Sequence, residues 1–250
     1  MLLVALAVQS SEEGAAPAGF AEIAGFARKN YYHEAVIRLK QLASEIRKTK
    51  GASKAEYRIF CNSFINPLGF INEKTLAADC GLGLIGKNNL LFTPEAGSNV
   101  VLAALALPFE LKGDAPLSKQ NFLSCAECAG RYCVQACPTG ALAIDGTLKK
   151  ERCLQWYLSG HENHVPEDIV KLWGRRLYGC MECQRWCPHN KKSISTIDSK
   201  IGSLPRFIDA AELLAQTDDE IKIRFKRTAL GLSWLGPSAL RRSAKISLQN

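Results

Sequence analysis

Apolar residues open the chain in an unbroken run from Leu2 to Val8. That is the pattern of a buried strand. Between His33 and Lys48 the apolar positions Ala35, Val36, Leu39, Leu42, Ala43 and Ile46 recur at helical spacing, with Lys and Arg on the other face. Tyr57 to Phe60 predicts a strand. Glu73 to Cys80 predicts a short helix that stops at Gly81. Asn89 to Phe92 and Val100 to Leu107 predict two more strands, divided by the turn signal Thr93-Pro94-Glu95-Ala96-Gly97. The Ala- and Gly-rich stretch from Ser11 to Gly25 predicts a loop. Alternating strands and helices predict an α/β layer.

The second half has a different rhythm. Arg152 to Leu158 and Pro166 to Trp173 predict helices, and the polar stretch from Lys191 to Ser203 predicts a linker. Thr217-Asp-Asp-Glu220 is a capping box that opens a helix through Arg227. A last helix is predicted from Ser238 to Leu248. The chain shows no internal repeat apart from its cysteine runs.

Composition narrows the class. At 250 residues, 47% apolar and 22% charged, the chain can bury a real core and reads as globular. No apolar run is long enough to span a bilayer. The opening run lacks the basic residue that a secretory signal carries before its apolar stretch. The net charge of +8 and pI of about 9.0 favour an anionic partner, with nucleic acid the leading class. Lys222, Arg224, Lys226, Arg227, Arg241, Arg242 and Lys245 crowd the tail. Either a nucleic-acid footprint or a solvated helix face accounts for them.

Cysteines change the picture most. Eight of the ten fall between Cys125 and Cys187. The first run is Cys125, Cys128, Cys133 and Cys137-Pro138. The second is Cys180, Cys183 and Cys187-Pro188, with Cys153 between the runs. In double-cluster ferredoxins the Cys before Pro crosses to the other cluster. Cluster one then takes Cys125, Cys128, Cys133 and Cys187. Cluster two takes Cys137, Cys153, Cys180 and Cys183. Both four-cysteine sites are filled with none left over. Two structural zinc sites are the plainer alternative, but zinc needs neither the Cys-Pro endings nor the crossed closure. Oxygen-sensitive clusters favour the reducing cytoplasm. Cys61 and Cys80 are expected to be small buried hydrophobes. Trp156, Trp173 and Trp186 are expected to pack over the clusters, and Tyr178 beside Cys180. His161 and His164 are expected on the solvated surface.

Gly81-Leu-Gly83-Leu-Ile-Gly86-Lys87-Asn88 resembles two phosphate loops and satisfies neither. It follows a helix rather than a strand, and Asn88 lacks the hydroxyl that a magnesium site requires. A structural tight turn and a backbone-lined ligand contact, with Lys87 as its cation, both remain open.

These residues together resemble the epoxyqueuosine reductase family. The matching elements are Leu2–Ala7, the Ala27-to-His33 segment with Tyr31 and Tyr32, Glu73-Lys74, the Gly81–Asn88 loop, the cysteine order with Arg152-Cys153 and Arg176-to-Cys180, and the Phe225-to-Asn250 tail. The resemblance covers nearly the whole chain. It implies an N-terminal α/β cobalamin-type domain (1–115), a ferredoxin-like double 4Fe-4S domain (116–190) and a basic C-terminal helical extension (191–250). It also implies an oxidoreductase that reduces epoxyqueuosine to queuosine in tRNA through cobalamin, fed by a low-potential donor such as a flavodoxin or ferredoxin. Tyr32, Lys87 and Asn88 become the candidate cobalamin contacts, and no Asp-x-His-x-x-Gly cobalt-ligand motif is present. The chain departs from the family in three ways. Its first strand corresponds to one inside the family's domain, which implies an N-terminally shortened member. Cys128 to Cys133 is longer than the usual spacing. The family's proton-donor aspartate has no counterpart between Phe60 and Glu73, where Pro67 or Asn62 aligns and neither can serve as an acid. That absence leaves two alternatives: an electron carrier without substrate chemistry, or a related cobalamin reductase with another substrate.

Overall fold

The computed structural model describes residues 2–8, 14–50, 53–60, 72–113, 125, 128–190 and 201–250. Its first half contains β1 (Leu2–Ala7), β2 (Phe20–Ile23), α1 (Tyr31–Lys50), β3 (Arg58–Phe60), α2 (Glu73–Asp79), β4 (Leu84–Ile85), β5 (Leu91–Phe92) and β6 (Val100–Ala106). β6 is the middle strand of an antiparallel sheet ordered β1-β6-β3. Leu2 lies opposite Leu105, and Phe60 opposite Ala104. Helix α1 covers this sheet. Its Ala35, Leu39 and Ala43 are buried against Ala103 and Leu105, which alternate along one face of β6. At the helix start Tyr31 packs on Val8 and Val101.

The second half contains α3 (Tyr132–Gln135), α4 (Leu154–Leu158), α5 (Glu167–Val170), β7 (Arg176–Tyr178), α6 (Glu182–Arg185), β8 (Phe207–Asp209), α7 (Ala210–Ala215), α8 (Asp218–Arg224) and α9 (Pro237–Leu248). The capping box forms as expected. Thr217 and Glu220 each bond the other's backbone N–H, and α8 begins there.

Three expectations need correction. The stretch from Ser11 to Gly25 is not all loop, since it holds β2. This strand is the centre of a second sheet, parallel to β7 and antiparallel to β8. Both of its edges are paired and Ala21 and Ile23 are fully buried. Four residues are too few to display a period, so the sequence pattern is silent there. Helix α8 stops at Arg224, because the chain reverses at Arg227 (φ 66°) and Thr228 donates through its amide and hydroxyl to Phe225 O. Pro166 to Trp173 holds only one helical turn, α5. The linker expected from Lys191 lies mostly outside the described residues.

The second sheet draws one strand from each of the three spans 1–115, 116–190 and 191–250. The largest core cluster surrounds it, joining Ala21, Ile23 and Leu177 to Phe225, Leu240 and Ala244. A smaller core under α4 and α5 holds Leu158, Ile169 and Trp173 beside Cys180. Among the described residues no helix is long and apolar enough to cross a membrane.

Candidate cluster and cofactor site

Two short helices with matching layouts each hold one cysteine and are followed by another. α3 holds Cys133 and ends before Cys137-Pro138. α6 holds Cys183 and ends before Cys187-Pro188. The proline disfavours helix in the residue before it and turns the chain. Cys137 N then bonds Val134 O at 3.2 Å, and Cys187 N bonds Gln184 O at 3.1 Å. The two helices pack against one another. Cys153 is the N-cap residue of α4, and Cys180 follows β7 after Gly179.

The thiols fall into two neighbourhoods. Burial raises the Cys133 pKa, and Cys125 and Cys187 raise it further. Burial likewise raises Cys187, beside Cys125 and Cys128. Cys183 is the most perturbed. It is raised by burial and then by Cys180, Cys153 and Cys137, with Cys133 the one neighbour from the other group. Burial raises Cys153, and it pushes Cys180 up to about 11. A buried thiolate is unfavourable without a cation, and a metal centre reverses that balance. Among the described residues no three metal-binding side chains converge tightly enough to hold a single ion.

A cavity of about 480 Å³ lies between the cysteines and the α1 layer. Cys137, Cys153, Cys180 and Cys183 all line it, while Cys125, Cys128, Cys133 and Cys187 do not. On the opposite wall stand Tyr32, Val101 and Asn88. Tyr32 meets Trp234 edge-on at 5.9 Å. Tyr178 is buried beside Cys180 as expected, and it also reaches the cavity.

Several expected placements change. Lys87 does not line the cavity, although Tyr32 and Asn88 do. His161 is half-buried, stacked on Trp156 at 4.4 Å, and faces the cavity. Burial lowers its pKa. His164 is exposed, as predicted. Trp173 is buried and donates to Arg176 O at 2.8 Å, but Trp186 is 56% exposed because it caps the outer end of α6. Cys80 is exposed at the end of α2, where Ala77 takes the buried position. Cys61 lies outside the described residues, as do Asn62 and Pro67.

The glycine loop is a hairpin of β4 and β5. A Cβ on Gly83 would sit 2.3 Å from Phe92 O, so close strand approach demands that glycine. Lys74 Nζ reaches Asn89 O at 2.7 Å, and burial lowers the Lys74 pKa.

A polar latch between the α1 layer and the second cysteine run has no sequence signature. Asn190 Oδ1 accepts from Ser98 N at 2.7 Å, and Gln184 Nε2 donates to Ser98 O at 2.6 Å. His189 stacks on Phe92 at 4.7 Å. The basic tail is partly committed to the fold. Arg241 binds Asp218 and Gln216 O, Arg242 binds Tyr157 O and Glu162 O, and Arg224 binds Glu212. Lys226, Arg227 and Lys245 are exposed.

A model of the 4Fe-4S double cluster binding domain matches residues 124–190. An epoxyqueuosine reductase of Bacillus subtilis is 31% identical over 182 residues, which is 72% of this chain and 45% of that protein. The solved epoxyqueuosine reductase of Streptococcus thermophilus superposes with a TM-score of 0.79 at 26% identity, covering 98% of this chain and 63% of that one. An epoxyqueuosine reductase solved with an epoxyqueuosine-modified tRNA-Tyr stem loop gives 0.77 at 27% identity, with the same coverage. The chain spans about half the length of the curated relatives it matches.

Proposed function

We propose, for a chain that belongs to the epoxyqueuosine reductase family, that it is an iron–sulfur oxidoreductase reducing epoxyqueuosine to queuosine in tRNA. The observation that carries this reading is the cavity whose one wall holds Cys137, Cys153, Cys180 and Cys183 and whose other wall holds Tyr32 and Asn88. Cys125, Cys128, Cys133 and Cys187 would hold the outer 4Fe-4S cluster, and the four cavity cysteines the inner one.

The part of the cavity beyond the inner cysteines, between which the cluster would sit, suits cobalamin. Its lining is mainly apolar, through Val8, Phe26, Val101 and Leu102, with amides at Asn88, Gln155 and Gln184. That mixture matches an apolar ring bearing amide side chains. When bound, cobalamin supplies a reducible cobalt able to remove an epoxide oxygen. The chain's own residues do the rest. Tyr32 and Asn88 would hold the ring, and the inner cysteines would place a redox centre beside it. Trp173 and Leu154 keep water from the buried thiolates. The epoxide oxygen leaves as water, at the expense of electrons and protons in equal number.

Support for tRNA as substrate comes from the relative solved with a modified stem loop and from the net charge of +8. Electrons would enter from a flavodoxin- or ferredoxin-type donor at the outer cluster, the one away from the cavity. We place the protein in the cytoplasm, where such clusters stay reduced. The spans 1–115, 116–190 and 191–250 serve as cofactor, cluster and basic portions.

Anaerobic reconstitution tests the reading. Roughly eight irons per chain are expected, and cob(II)alamin should co-elute on gel filtration. Iron without cobalamin would favour the electron-carrier alternative, to which the Asp-free sequence before Glu73 also points. Zinc in place of iron would refute both.

A further inference from the structure

The glycine hairpin reaches a cysteine. Lys87 N–H donates to Cys125 Sγ at 3.1 Å, across 38 positions of sequence. Neighbouring contacts fix that amide. Gly86 N donates to Leu90 O, and Asn89 N to Gly86 O, each at 2.9 Å. Asn89 adopts the left-handed conformation (φ 58°), held by Lys74 Nζ on its carbonyl. On the other side the Gly146 turn lies against Lys87, since a Cβ on Gly146 would be 3.6 Å from Lys87 Cα. The next residue, Asn88, lines the cavity. One turn of backbone therefore touches a cysteine of the outer set and the wall of the cofactor cavity.

We propose that the Gly81–Asn88 hairpin sets the reduction potential of the outer cluster through the Lys87 backbone amide on Cys125 Sγ. The inference rests on the reading of Cys125 as a cluster ligand. A thiolate that accepts an N–H bond carries less charge, which stabilises the more negative, reduced cluster and raises its potential. The inner set has its own amide–sulfur bond, from Ala141 N to Cys137 Sγ at 3.3 Å, supplied by the same Cys-Pro turn. The outer set likewise has amides of His189 and Asn190 on Cys187 within its own Cys-Pro turn, and the Lys87 amide adds one from the α/β layer. Lys87 is a positioning residue that acts through its main chain, and its ammonium group is dispensable for this role.

Lys87→Pro removes the N–H, whereas Lys87→Ala keeps it. Redox titration of the reconstituted chain, followed by EPR, reads both clusters. K87P should lower the midpoint of one cluster signal and leave the other in place, and K87A should move neither. Equal midpoints in K87P and the unsubstituted chain, at full iron content, would overturn the inference. Failure of the unsubstituted chain to take up iron would instead overturn the cluster reading beneath it. A second measurement needs no proline. In the chain labelled with 15N-lysine, pulsed EPR should show a 15N coupling on one cluster signal that disappears in K87A. Absence of that coupling also overturns the proposal.

Discussion

The two sets of cysteines share one sequence pattern and sit in unlike surroundings. Cys137, Cys153, Cys180 and Cys183 line the cavity, and among them Cys180 and Cys183 are the most strongly perturbed thiols. Cys125, Cys128, Cys133 and Cys187 lie away from it, and Cys125 takes an amide from the hairpin. On the proposed reading the difference gives a direction: a centre against the cavity would deliver electrons to its occupant, and the centre on the far side would receive them.

Paired cysteine substitutions give the largest test of that asymmetry. Cys183→Ser and Cys125→Ser should each lower iron from roughly eight to roughly four per chain. Only Cys183→Ser should also abolish cobalamin co-elution, because only it alters the cavity wall. Equal loss in both variants would break the comparison. Tryptophans sharpen it through stability. Trp173→Ala, in the core behind Cys180, should cost about 3–5 kcal/mol in denaturant unfolding. Trp186→Ala, on the exposed side, should stay within about 0.5 kcal/mol.

His161 gives a smaller effect, confined to the inner side. Burial holds its folded pKa below the ordinary 6.5. Its contribution is therefore present above that value and lost as pH falls through the folded pKa. Thermal melts on mild acidification should show a decline that His161→Gln removes, and NMR should show the imidazole titrating below 6.5. The capping box, remote from both sets, should cost least. Thr217→Ala should lose about 1 kcal/mol, with cluster midpoints unchanged.

The legible parts of this molecule were those with long periods or exclusive chemistry. Helix α1 announced itself because its apolar face repeats from Ala35 to Ile46, about three turns. The double-cluster character was readable because thiolate spacing and Cys-Pro endings admit few alternatives. β2, β7 and β8 were invisible, each being four residues or fewer and defined only by partners distant in sequence. The latch of Ser98, Gln184 and Asn190 was hidden for a related reason, since polar side chains bond across the fold without any periodic mark. Lys87 was read from its side chain, as the cation of a ligand contact, whereas the structure puts its main-chain amide on Cys125 Sγ. Residue type suggests what a side chain does, but it is silent about a main-chain amide. Cys80 and Trp186 failed on exposure, which depends on which way a short helix faces.

The central position of β2 constrains how this chain can be made. The strand is synthesised before both of its neighbours, which come much later in the chain, β8 beyond Cys187. Loop closure of that length is slow. During translation the segment around Ala21 and Ile23 must wait, unpaired and apolar, until the tail emerges. Metal loading and the docking of β2 then become competing late events, and a chain stalled before β8 would carry an open strand edge prone to self-association.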